Sequence, residues 1–91
     1  MISVETKDGF KAEIDERILT DWRFTHALVK SQKGTDYEKL EATHAIADLL
    51  IGDDSERLCE HIASKNDGFV PAEVFMNTIA ELIKSVKQLK N

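Results

Sequence analysis

The chain holds one cysteine, Cys59, one proline, Pro71, and four isolated glycines. A lone cysteine excludes an internal disulfide, and nothing else points to an oxidising compartment. Isolated glycines exclude the glycine-rich loops that cradle phosphate groups. No apolar run approaches the ~20 residues that cross a membrane. The opening Met1-Ile2-Ser3-Val4-Glu5 lacks the basic head and apolar middle of a signal peptide. Positive charge is also short: the formal net charge is −5. Counterion displacement from nucleic acid needs the opposite sign, so nucleic acid is not an expected partner. These absences point to a cytosolic protein with no membrane partner.

Reactive constellations are scarce too. Glu41-Ala42-Thr43-His44 has the Glu-x-x-His form of di-iron helical bundles, but that site needs a second copy and two further glutamates. Cys59-Glu60-His61 offers two ligand types without the paired spacing of a zinc site. His44 falls on an apolar stripe, where a hydrogen-bonded, partly buried histidine is the expected reading. No serine, nor Cys59, has the base and orienting group that nucleophilic catalysis needs. The expectation is a protein that is not an enzyme and takes no cofactor or metal.

What remains is an ordinary globular composition, 42% apolar and 32% charged, sized for one domain. Its fold class reads as mainly α with an N-terminal β-hairpin, about four helices packed on one hairpin. Ile2, Val4 and Thr6 alternate with polar residues, as do Phe10, Ala12 and Ile14. A three-residue loop, Lys7-Asp8-Gly9, pairs Thr6 with Phe10, Val4 with Ala12 and Ile2 with Ile14. Only that register collects the apolar residues on one face of a hairpin spanning 2–14, and it puts Gly9 where positive φ is required.

Helices are expected over 15–31, 36–51, 54–65 and 71–90. Asp15 suits the first N-cap, although Thr20 and Asp21 offer a fresh start within that stretch. Ile18, Trp22 and Val29 share a stripe that Phe24 and Leu28 widen. Ile14, Ile18 and Trp22 are expected to anchor hairpin to helix. Thr35 and Glu38 form a capping-box pattern, ahead of an expected inward face of Tyr37, Leu40, His44, Ala47 and Ile51. Asp53 and Glu56 repeat the capping signal before Leu58, Ile62 and Ala63.

In the last helix Ala72, Phe75, Ile79, Leu82, Val86 and Leu89 are spaced 3-4-3-4-3. Phe10, Leu40, Phe75 and Ile79 complete the expected anchors. The seam packs at home along its whole length, or its end is a docking face made by Leu82, Val86 and Leu89 with Lys84, Lys87 and Lys90 around them. The lysines equally suit a helix C-terminus.

A family resemblance rests on Gly9-Phe10-Lys11-Ala12-Glu13-Ile14-Asp15, Leu19-Thr20-Asp21-Trp22-Arg23-Phe24 and Leu49-Leu50-Ile51-Gly52-Asp53. It continues in Leu58-Cys59-Glu60-His61-Ile62 and Gly68-Phe69-Val70-Pro71-Ala72-Glu73. In these motifs and their order the chain resembles the tail assembly chaperones of long-tailed phages and prophages of Gram-positive bacteria. The resemblance implies a non-catalytic protein of the host cytoplasm, absent from the mature virion. It implies the tape measure protein and the major tail protein as partners, with self-association possible. An acidic inhibitor module and a small structural tail or connector subunit are the alternatives.

Overall fold

Alternating apolar residues form the first element. In a computed structural model that describes residues 1–90, with side chains through 89, strand β1 (Ile2–Glu5) pairs antiparallel with β2 (Lys11–Ile14). The register joins Ile2 to Ile14 and Val4 to Ala12, as expected. The loop closes through Thr6 N–H to the Phe10 carbonyl at 2.8 Å and Gly9 N–H to the Thr6 carbonyl at 3.0 Å. Gly9 has φ +95°, a conformation any side chain would strain. Thr6 is buried but satisfied: its hydroxyl donates to the Asp8 carboxylate and accepts from the Phe10 N–H.

The expected helix over 15–31 is two elements. Asp15 accepts from the Arg17 N–H and caps a five-residue 3-10 helix, Glu16–Thr20. Asp21 then lies extended, accepts from the Arg23 N–H at 2.8 Å, and starts α1 (Trp22–Lys33) afresh. A break at Asp21 resets the helical phase, which moves the buried face. Phe24 and Ala27 turn inward, whereas Trp22 is 77% exposed and Val29 is also exposed. Trp22 is therefore not an anchor, while Ile18 packs on the core as expected.

Helix α2 (Asp36–Ile51) begins with the full capping box, Thr35 and Glu38 each accepting from the other's backbone N–H. Such a cap stabilises the helix by about 1 kcal/mol. Its buried residues are Ala42, Ile46, Ala47, Leu50 and Ile51. Ala47 and Ile51 belong to the expected face, but Tyr37, Leu40 and His44 are exposed. This stretch carries apolar residues on two sides, so spacing alone does not select the arc that packs against α1 and β2.

Helix α3 (Asp54–Ser64) buries Leu58 and Ile62. Asp53 makes no capping bond, because its backbone is already helical. Helix α4 (Ala72–Lys90) follows Pro71 and packs on β1 and α3. Ile79, Leu82 and Val86 are buried and Phe75 is partly buried. They meet Val4, Phe10, Ala12 and Ile14 of the hairpin in one core. Leu82 and Val86 are thus not available to a partner in this fold; the seam packs at home from Ile79 to Val86, while Ala72 at its start is exposed. The fold is mainly helical, with four α-helices packed on one hairpin. No described helix is long and apolar enough to cross a membrane.

Candidate functional site

The charged groups of residues 13–24 are held locally. Asp15 binds Arg17, Asp21 binds Arg23, and Glu16 meets the terminal amine at 3.3 Å. Hydrogen bonds from the arginines pull the Asp15 and Asp21 carboxyls down to about 2. These acids are helix caps with arginine partners, which leaves no two of them sharing a proton across a cleft. Among the described residues no three His, Cys, Asp or Glu side chains gather closely enough to hold a metal ion. Glu41 and His44 are exposed, and Cys59 is a half-buried free thiol.

A second polar cluster holds the hairpin to α3. Arg57 donates to the Lys11 carbonyl at 2.6 Å with its guanidinium 4.7 Å above the Phe10 ring. One turn on, His61 packs on Phe10 and places Nε2 3.4 Å from the Asp8 carboxylate. Another turn on, the Lys65 ammonium donates to the Asp8 carbonyl at 2.6 Å. The Thr6 hydroxyl above all, with the charges of His61 and Lys65, holds the Asp8 carboxyl below its ordinary 3.8. A depressed carboxyl stabilises the fold above its unfolded value, and that contribution is lost as pH falls through the folded value. The stability difference between wild type and Asp8→Asn should be complete at about pH 6 and vanish under strong acid. Urea midpoints across that range check this; a difference independent of pH would contradict it.

Apart from the cleft that Asp15, Arg17, Asp21 and Arg23 line, three concave surfaces stand out among the described residues. The most spacious, ≈ 760 Å³, lies between β1 and α4 and is polar: Glu5, Lys7, Asn77, Glu81 and Lys84 line it. There the Lys7 N–H already donates to the Glu81 carboxylate at 2.7 Å. The second, ≈ 560 Å³, runs between α1 and α2 over Ala27 and Ala42, with Trp22 at its margin. Trp22 stacks on His26 with ring centroids 6.0 Å apart. The third, ≈ 330 Å³, lies between α2, α3 and the first turns of α4.

This third groove is the apolar one. Leu40 and Ala47 of α2, Cys59 of α3, Val70 just before α4, and Phe75 and Met76 in the first turns of α4 line it. Leu40 is 59% exposed and Met76 42%. Tyr37, one turn before Leu40, and Phe69, next to Val70 in sequence, are exposed as well. Single exposed apolar side chains need no explanation, but contiguous ones in a concavity mark an interaction site.

The residues expected at a partner face are scattered by comparison. Leu82 and Val86 are in the core, Leu89 is exposed near the end of α4, and Lys84 lines the polar β1–α4 cleft. Lys87 is exposed, and the Lys90 side chain lies outside the described residues. Of the expected anchors, Phe10, Ile14 and Ile79 are buried and Ile18 and Phe75 partly so; Trp22 and Leu40 are exposed. Leu40 was legible only as an apolar helix position, a signal shared with core residues. No family model matches the chain, no curated protein does, and no solved structure does.

Proposed function

We propose that this protein is a non-enzymatic phage tail assembly chaperone. It binds and solubilises the tape measure protein in the host cytoplasm, helps bring the major tail protein to it, and leaves before the virion is complete. The observation that carries this reading is the open apolar groove between α2, α3 and α4 on an otherwise charged small protein. A groove of this kind suits the apolar face of a helix. The motif resemblance supplies the identity of the client. A tape measure protein presents long apolar helical stretches that aggregate before the tail tube encloses them. Many copies, each bound weakly, hold such a filament by avidity and are displaced singly as the tube polymerises.

Co-expression with the tape measure protein tests the reading. The expected result is a soluble complex with several chaperone copies per tape measure chain. A tape measure protein that stays insoluble and fails to co-purify would overturn it.

A further inference from the structure

We infer that the groove between α2, α3 and α4 selects cationic amphipathic helices: one apolar face for the groove, with Lys or Arg on both flanks. This rests on the reading of the groove as a docking face, and it adds the charge and conformation of what docks there.

Conformation follows from the walls. Apart from Val70, in the connection before α4, the lining lies on three helices whose interior backbone groups are bonded internally, so the groove offers no main-chain ladder to an extended peptide. An occupant must satisfy its own backbone and offer side chains, which a helix does. From Leu40 to Asp48 the α2 wall rises about 12 Å, the length of roughly two helical turns. A partner therefore presents about three apolar anchors, at positions i, i+3 or i+4, and i+7.

Charge follows from the surroundings. Between Asp36 and Met76, the stretch that builds the groove, the sequence has ten acids and three bases. Two of those bases point elsewhere: Arg57 and Lys65 each donate to a hairpin carbonyl at 2.6 Å. Asp48 stands in the groove lining itself, and on the α4 side the exposed Glu73 follows the lining residue Ala72. An anionic helix seated here meets like charge, whereas a cationic one meets its complement. Exposed charge pairs are screened over about 8 Å at physiological salt, so the preference weakens as salt rises.

Two model peptides test the inference on the intact protein. They share one apolar face at helical spacing; one carries lysine on its flanks and the other glutamate. Titration calorimetry should give at least about tenfold tighter binding for the lysine peptide, as two or three rim charge pairs supply. Added salt should narrow that ratio. Met76→Asp and Leu40→Asp should remove binding of the lysine peptide while thermal melting stays unchanged, because both side chains are exposed. Equal affinity for the two peptides, a preference for glutamate, no binding of either, or binding that survives Met76→Asp overturns the inference. The tail-assembly reading fails separately. If the tape measure protein does not co-purify but the lysine preference holds, only that reading falls. If the tape measure protein co-purifies with the Met76→Asp chain as well as with wild type, only the inference falls.

Discussion

Leu82→Asp should abolish folding, leaving an unfolded chain by circular dichroism where the wild type is helical. Leu82 is 0% exposed on the face of α4 that joins the hairpin core. A carboxylate there sits among the apolar side chains of that core, and burying an unpaired charge costs several kcal/mol beyond the lost apolar contacts. A small domain has only about 5–10 kcal/mol of stability in total. The milder Leu82→Ala should fold but lose about 3–5 kcal/mol. Val86, equally buried one turn on, should behave alike. A folded Leu82→Asp protein that had merely lost a partner would place the seam at an interface and refute the packing described.

Phe24→Ala should cost about 3–5 kcal/mol, whereas Trp22→Ala should change stability by less than about 0.5 kcal/mol. The residues are two positions apart, and the larger one matters less. Phe24 is 1% exposed, while the indole of Trp22 lies in solvent beside His26. The difference comes from Asp21, whose carboxylate caps α1 and fixes which residues of the first turn face the core. Urea denaturation of both variants checks the pair. A large loss for Trp22→Ala would mean that the helix continues through Asp21 with its phase unbroken.

Where one local rule had no competitor, the sequence was legible. The hairpin register followed from two alternating strands and one glycine at positive φ, since any other pairing would turn apolar residues to solvent. The Thr35–Glu38 box was plain for the same reason, whereas spacing left open whether Leu82 and Val86 pack at home or meet a partner, and the structure buries both. Trouble began where two rules competed. Asp15 and Asp21 are both good caps six residues apart; a fresh start at Asp21 was legible, but one stripe through Ile18 and Trp22 favoured a single helix. In α2, apolar residues on two sides allowed an arc through Leu40 and His44 as well as the one through Ala42, Ile46 and Leu50.

The groove was illegible for a related reason. Leu40, Phe75 and Met76 look like core residues because periodicity reports an apolar helical face without saying whether anything covers it. Leu40 and Met76 are left uncovered because α2 turns its packed side to α1 and β2, and α4 turns its packed side to β1. That depends on the arrangement of elements distant in sequence, which no single helix encodes.

The chain's two methionines make the central claim directly measurable. Met1 is exposed before β1, and Met76 lines the groove. Methyl-labelled methionine therefore gives one signal at the groove and one away from it. On titration with an apolar helical segment of the tape measure protein, the Met76 methyl resonance should shift and saturate while Met1 stays in place. A segment that binds and leaves Met76 unmoved would contradict the groove as the docking face.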